Sequence, residues 1–294
     1  MGCVSCAGLI RGSASETNGV TLRLREPTTI PIEADSICPD HFVGRSQAEI
    51  EALPAFHGRR KVTLGDLFTV EGEDSDSILV EGDLRHVKKI GQRMTRGRIT
   101  LRGDVGLHLG ALMRGGEIIV QGNAADWLAA EMRGGLIRVM GNAGNFVGAA
   151  YHGSKKGMNR GTIIVEGHAG NEVGERMRRG LIVILGPARE FLGANMIAGT
   201  IVVFGKTGEG PGAGMRRGTI VLLGEGRNDA SPLQLLPTFR YDCTYNPTFL
   251  RLYLRALRRY GIEVQEEYIS GRYRRYNGDI AELGKGEILV YERD

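Results

Sequence analysis

A short run of alternating apolar residues that ends in glycine recurs along the middle of the chain. It reads SILVEG, RITLRG, EIIVQG, LIRVMG, TIIVEG, LIVILG, TIVVFG and TIVLLG between residues 77 and 224. The closing glycines are 19 residues apart, except for a first interval of 21 and a fourth of 26. A period of this length predicts a solenoid, in which one repeat is unstable alone and becomes stable when stacked on its neighbours.

Three apolar columns run through the repeats. The second position is Ile78, Ile99, Ile118, Ile137, Ile163, Ile182, Ile201 and Ile220, and the fourth is always aliphatic. Because side chains alternate along a strand, both columns point into one interior. A methionine column follows at Met94, Met113, Met132, Met158, Met177, Met196 and Met215. Nineteen residues are too few for a strand and a packed helix, so we expect an all-β fold: a right-handed parallel β-helix of about eight coils.

The repeats divide the chain into four predicted segments. Residues 1–19 are expected to be a disordered tail, 20–76 an N-terminal cap, 77–226 the β-helix and 227–294 a C-terminal extension. The first coil carries two extra residues near 85–89, and the fourth carries seven at 151–157 (YHGSKKG). Since insertions in a solenoid become surface loops and often line a binding face, Tyr151, Lys155 and Lys156 are candidate partner-binding residues.

The outward strand positions change from polar to apolar along the repeats. In the late coils they are Val183, Leu185, Val202, Phe204, Val221 and Leu223. Such a face must be covered, either by the C-terminal segment or by another protein chain, so these six are also candidate partner-binding residues. Residues 247–260 (PTFLRLYLRALRRY) predict an amphipathic helix that folds back on the coils. We expect its apolar side to hold Phe249, Leu252, Tyr253, Ala256 and Leu257.

Arginine flanks the methionine corner in most coils. The candidate anion-binding set is Arg114, Arg133, Arg178, Arg179, Arg216 and Arg217. A ladder of like charges is unfavourable unless something anionic lies along it. Two interpretations stay open: a soluble edge neutralised by ions or acidic loops, or a groove for an acidic partner or a polyanionic cofactor tail. Nucleic acid is disfavoured because no aromatic residues interleave with these arginines.

The sequence offers no recognisable catalytic or metal-binding set. The six histidines fall at different phases of the repeat, and no GxSxG, P-loop or HExxH motif is present. We therefore predict no catalytic residue and no metal on this chain. No run of about 18 apolar residues occurs, so no membrane contact is expected. The N-terminus lacks the pattern of a secretory signal, which favours the cytoplasm.

Several stretches carry a family resemblance. They are GNAGNFVG (141–148), GHAGNEVGERMRRG (167–180) and the tail PTFLRLYLRALRRYGI. The glycine-rich coils resemble the β-helix at the end of the large subunit of glutamate synthase. With the tail, the chain resembles more closely the C subunit of formylmethanofuran dehydrogenase and its bacterial relative, the C subunit of the formyltransferase/hydrolase complex of methylotrophs.

The resemblance implies a function. The bacterial complex moves formyl from formyl-tetrahydromethanopterin to methylofuran and releases formate in methylotrophic formaldehyde oxidation. This chain would be its non-catalytic scaffold, with a hydrolase-like A subunit, a B subunit and a formyltransferase D subunit as partners. Methylofuran, whose tail is polyglutamate, would bind in the complex and not to this chain alone, and zinc, molybdenum or tungsten would belong to partner subunits.

Two alternatives follow from the same likeness. One is the C subunit of an archaeal formylmethanofuran dehydrogenase, acting in methanogenesis or CO2 fixation. The other is a glutamate-synthase-like structural module between amidotransferase and synthase sites.

Overall fold

The structure is a computed structural model that describes residues 19–224 and 233–292. It is mostly β-strand with a few short helices, which confirms the all-β class. The predicted disordered tail, apart from its last residue, lies outside the described residues, as does the predicted boundary at 226.

The N-terminal segment adds a strand to the repeat stack and a small second sheet. Its elements are β1 (Val20–Leu24), β2 (Ile32–Glu33), α1 (Pro39–Phe42), α2 (Gln47–Glu51), β3 (Pro54–His57), β4 (Arg60–Thr63), α3 (Leu64–Leu67) and β5 (Phe68–Glu71). A capping box closes the N-terminus of α2, because the Glu49 carboxylate accepts the Ser46 backbone N–H at 2.9 Å. Phe42 and Ile50 are fully buried in the same apolar cluster as the coil interior, so the segment continues the core.

The strands of successive repeats pair with one another in parallel. The elements of the coils are β6 (Ser77–Glu81), β7 (Val87–Lys88), β8 (Arg98–Arg102), β9 (Glu117–Val120), β10 (Arg133–Val139), β11 (Arg160–Val165), β12 (Leu181–Ile184), β13 (Thr200–Val203) and β14 (Arg217–Leu222). The isoleucine column is in register, as in Ile99 beside Ile118. The short β7 lies in the first-coil insertion and pairs with β2, so this insertion attaches the N-terminal segment.

The interior columns are buried as predicted. All seven methionines of the column and all eight isoleucines are at most 1% exposed. Gly110, three residues before Met113, has a steric reason to be glycine: its φ is +62, and a Cβ there would lie 2.4 Å from Ile137 Cδ1. A second parallel ladder of isolated bridges runs from Leu84 to Thr207, so successive coils contact each other on more than one side.

The C-terminal segment closes the stack and covers its late face. It contains β15 (Arg240–Tyr245), α4 (Thr248–Arg258), α5 (Glu266–Ser270), β16 (Arg272–Gly278) and β17 (Lys285–Glu292). The last strand extends the large sheet: β17 pairs in parallel with β14, and β16 and β15 follow it as antiparallel neighbours.

The apolar outward face lies beneath this segment. Val183, Val202, Val221 and Leu223 are 0% exposed and share one cluster with the leucines of α4; Leu185 and Phe204 are partly buried against the same cluster. The alternative in which the C-terminal segment covers the face is therefore the one observed. The expected contact of the four fully buried side chains with a partner protein is wrong, because the chain's own helix occupies that surface.

The helix packs through a different stripe from the one predicted. Its buried residues are Leu250, Leu254 and Leu257, whereas Leu252 is 74% exposed. The leucines follow the i, i+4, i+7 spacing of a packed helix. Arg251 and Arg258 can border this stripe because their guanidinium groups bond locally, to Asn246 Oδ1 at 2.9 Å and to the Val264 carbonyl at 2.7 Å.

Candidate functional site

The predicted arginines lie together along one corner of the stack. Arg114, Arg133, Arg178 and Arg216 each donate their backbone N–H to a methionine carbonyl of the preceding coil, at 2.7–2.8 Å. They therefore occupy one column, in which neighbouring coils are about 4.8 Å apart. Arg179 and Arg217 hold the next position along the chain. We call these six residues the basic edge.

The basic edge is poorly neutralised compared with the arginines of the early coils. Arg23 and Arg102, for example, both bind the Glu81 carboxylate, at 2.9 and 2.5 Å. On the basic edge Arg216 pairs with Glu282 at 3.1 Å. Among residues 19–224 and 233–292, no carboxylate lies within 4.0 Å of the other five. The interpretation of an edge neutralised by acidic loops is thus weaker than that of an anion-binding groove.

The fourth-coil loop, residues 151–157, adds two more cations to this edge. Lys155, Lys156, Arg133 and Arg178 line a surface depression of about 430 Å³ together with one acidic residue, Glu131. On the other side of the loop, Lys155 also lines a depression of about 300 Å³ with Arg176, Arg216, Asn195 and Glu282. The structure therefore joins two features that the sequence predicted separately, the arginine column and the insertion.

An aromatic cluster that sequence reasoning missed anchors the start of this loop. It consists of His108, Trp127, Phe146, Tyr151 and His152. The Trp127 and Phe146 rings stack at 4.4 Å, and Tyr151 lies 5.1 Å from Trp127. The first three residues are 19 apart in sequence and share φ values of 62–63°, so they form one column on the outside of the coils. The 19-residue spacing of His108, Trp127 and Phe146 is the sequence signal for this column.

The protonation states of the cluster favour one hydrogen bond. The Tyr151 hydroxyl lies 3.0 Å from His108 Nδ1. Burial raises the pKa of Tyr151 to about 12, so its hydroxyl keeps the proton at neutral pH. Burial, followed by the charges of Lys89 and Lys88, lowers the pKa of His108, so its imidazole is neutral. In the tautomer of neutral His108 that carries its proton on Nε2, the Tyr151 O–H donates to Nδ1.

The described residues show neither a metal-ligand cluster nor a membrane-spanning helix. Within 19–224 and 233–292, no three histidine, cysteine or acidic side chains stand close enough to hold a metal ion. In the same ranges, no helix has both the length and the apolar character needed to cross a bilayer. The chemistry that the site offers is that of its arginine and lysine side chains, which can bind carboxylates or phosphates spaced along the stack.

Comparison with known proteins places the chain in a family. The GXGXG motif family matches residues 84–234. The C subunit of the formyltransferase/hydrolase complex of Methylorubrum extorquens is 51% identical over 270 residues, which cover 92% of this chain and 98% of that protein. The chain belongs to the family of formyltransferase/hydrolase complex C subunits. The resemblance inferred from its coils and tail is thereby confirmed.

A solved relative shares the whole fold. In the crystal structure of the formyltransferase/hydrolase complex from Methylorubrum extorquens in complex with methylofuran, the matching chain is 40% identical with a TM-score of 0.84, covering 92% of this chain and 98% of that one. Archaeal members match less of their length. The C subunit of the tungsten-containing formylmethanofuran dehydrogenase 2 of Methanothermobacter wolfeii is 42% identical over 97 residues, 31% of this chain and 36% of that protein. The aligned segment thus spans about a third of these archaeal family members.

Proposed function

We propose that this chain is the non-catalytic scaffold of a complex that transfers formyl from formyl-tetrahydromethanopterin to methylofuran and releases formate. The observation that carries the proposal is the match over 98% of the C subunit from such a complex, combined with a basic edge on which, in the described part of the chain, only Arg216 has a carboxylate partner. Transfer and hydrolysis would then take place on the formyltransferase D and hydrolase-like A subunits.

The scaffold role draws on the stacked coils. We infer that they wind as a right-handed parallel β-helix of about eight turns over residues 77–226, with 20–76 as cap and 227–294 as extension. The parallel register from β6 to β14 supports this winding. A continuous apolar core along the stack makes such a rod stiff, and its side surfaces can hold neighbouring subunits at fixed positions.

The basic edge fits the polyglutamate tail that the family resemblance assigns to methylofuran. Exposed, unpaired guanidinium groups suit a chain of carboxylates, because they bind them by charge-assisted hydrogen bonds without first breaking an internal ion pair. Arg133 and Arg178 are two coils apart, and Lys155 and Lys156 lie with them around one depression. These four residues would hold the tail, while the furan and its formyl group would react on partner subunits.

Two measurements test the proposal. The chain purified alone should release no formate from formyl-tetrahydromethanopterin, whereas the chain co-expressed with its A, B and D partners should co-purify with them and support turnover. Formate release by the isolated chain would refute the scaffold role. Failure to co-purify would refute membership of the complex.

The edge can be tested inside the intact complex. Arg133→Gln combined with Arg178→Gln should weaken methylofuran retention by about two- to thirtyfold, since each exposed ion pair contributes roughly 0.2–1 kcal/mol. The matched control is Arg98→Gln, another exposed arginine whose partner is Glu117 at 2.7 Å on a repeat strand. Equal retention in the double variant and the control would exclude the basic edge as the tail site.

The archaeal reaction remains a second candidate. Its support is the identity of 34–42% to the C subunits of formylmethanofuran dehydrogenases over about a third of this chain. Neighbouring genes for a formyltransferase and a hydrolase would favour the bacterial reaction, and genes for a molybdenum or tungsten protein the archaeal one.

A further inference from the structure

The fourth-coil loop is held at its two ends. Within residues 19–224 and 233–292, its lysines, Lys155 and Lys156, form no side-chain hydrogen bond or ion pair. At the far end, Gly157 donates its N–H to the Arg176 carbonyl at 2.9 Å, and a Cβ at Gly157 would lie 2.5 Å from the Glu175 carbonyl oxygen. In the middle, the Ser154 carbonyl accepts from Arg176 Nη1 at 2.9 Å. The exposed Lys155 therefore takes its position from the residues that flank it.

The near end of the loop, Tyr151 and His152, packs against the other rings of the aromatic cluster. The Tyr151 ring lies 5.1 Å from Trp127 and 5.5 Å from His108, to which its hydroxyl is hydrogen-bonded. His152 meets Trp127 and Phe146 edge-on at 5.2 and 5.9 Å. These rings lie outside the stack and are not part of the apolar core. The cluster thus adds little to the interior and directs the path of the loop.

We propose that Tyr151 and His152 form an aromatic clasp that positions Lys155 and Lys156 on the basic edge. Tyr151 is then a positioning residue of the anion site, and the proposal rests on the anion-binding role given above. The reason is geometric: the bonds at Gly157 and Ser154 alone would let the near end of the loop swing away from the coils, whereas the attachment at Tyr151 fixes that end as well and holds the lysines beside the two depressions.

Limited proteolysis of the full chain tests the clasp directly. Trypsin cleaves after lysine, so it reports how often the loop opens at Lys155 and Lys156. Tyr151→Ala should accelerate cleavage there on the order of tenfold, and Tyr151→Phe, which keeps the ring and loses the hydroxyl, should accelerate it less. Phe191→Ala is the control: Phe191 is 45% exposed in a later coil, at the repeat position of Trp127 and Phe146, and its removal should leave the rate unchanged.

Two further readouts separate positioning from a general structural effect. Trp127 is the chain's single tryptophan, so its fluorescence reports the cluster, and Tyr151→Ala should shift its emission to longer wavelength while the thermal midpoint stays unchanged. With poly-L-glutamate as the probe, Tyr151→Ala should weaken binding as much as Lys155→Ala with Lys156→Ala. Combining all three changes should weaken it no further, because the tyrosine acts through the lysines.

The outcomes are distinguishable. Unchanged tryptic cleavage in Tyr151→Ala, or losses of polyglutamate affinity that add, would overturn the clasp. A wild-type chain that does not bind polyglutamate would instead refute the anion site of the proposed function. Accelerated cleavage would then still support the clasp as the element that fixes the loop.

Discussion

Leu254 of α4 offers the sharpest test of how the C-terminal segment is attached. Its side chain is 0% exposed and packs in the cluster that includes Val183, Val202 and Val221 of the late coils. This cluster is separate from the coil interior. Removing the Leu254 side chain should therefore loosen the attachment of the helix and leave the stacking of the coils intact.

The expected magnitude follows from burial. Leu→Ala at a fully buried site costs about 2.7–5.0 kcal/mol, the transfer of the lost carbons plus the cavity they leave. A loss of about 3 kcal/mol corresponds to roughly a 100-fold faster hydrogen exchange of the α4 amides, if these exchange when the segment detaches. Leu252, in the same helix, is 74% exposed, so Leu252→Ala should change stability by less than about 0.5 kcal/mol.

Hydrogen exchange followed by mass spectrometry measures both changes. Leu254→Ala should accelerate exchange across α4 (Thr248–Arg258), while the coil strands exchange at the wild-type rate. It should also increase the binding of a dye for exposed apolar surface, because the late face becomes uncovered. Equal effects of the two leucine variants, or acceleration spread evenly over the coils, would refute the view that this helix is a separately attached cover.

Three further predictions follow from particular contacts. Gly134→Ala should destabilise the stack by about 3 kcal/mol or more, because its Cβ would lie 2.2 Å from a backbone carbonyl oxygen of the preceding coil. The control is Gly153→Ala, where nothing lies within 4 Å and only the φ of +89 strains an alanine, by about 1–2 kcal/mol; equal melting temperatures would contradict the prediction. Arg138→Ala should weaken the attachment of the C-terminal segment, since Arg138 binds the Glu166 carboxylate at 2.6 Å and the Tyr260 carbonyl, just after α4, at 2.8 Å. We expect the free energy of unfolding in denaturant to fall by about 1–3 kcal/mol, against less than about 1 kcal/mol for the exposed Arg98→Ala. Because the pKa of His108 is lowered in the folded chain, the unfolded chain binds its proton more readily, so the free energy of unfolding is fully present above about pH 6.5 and declines as the pH falls below that value. His108→Gln should flatten this decline in unfolding measured between pH 7 and 5, and an unchanged slope would argue against the prediction.

The coil interior was predictable because its rules are local and periodic. A strand fixes which side chains share a face, and a 19-residue period fixes which residues stack, so Ile137 and Met113 could be placed from spacing alone. The arginine column was predictable for the same reason. That only Arg216 of the six has a carboxylate partner in the described part of the chain was not predictable, because it depends on which acidic loops reach the edge in three dimensions.

The remaining features depend on how segments meet. The rotation of α4 could not be derived from its apolar residues, because two candidate stripes existed and local hydrogen bonds of Arg251 and Arg258 decided between them. The meeting of Tyr151 with His108 joins residues 43 apart across two coils. A loop's path is not periodic, so the repeat carries no information about it.

The strand directions at the two ends of the large sheet set a limit on assembly. The sheet begins with β5, antiparallel to β1, and ends with β15, antiparallel to β16. β5 runs against the repeat strands, whereas β15, two antiparallel steps away from β17, runs in the same direction as they do. The parallel ladder of the repeats can therefore not be continued directly at the β5 edge. Growth of a filament by adding further parallel coils is therefore interrupted at the N-terminal end of the sheet.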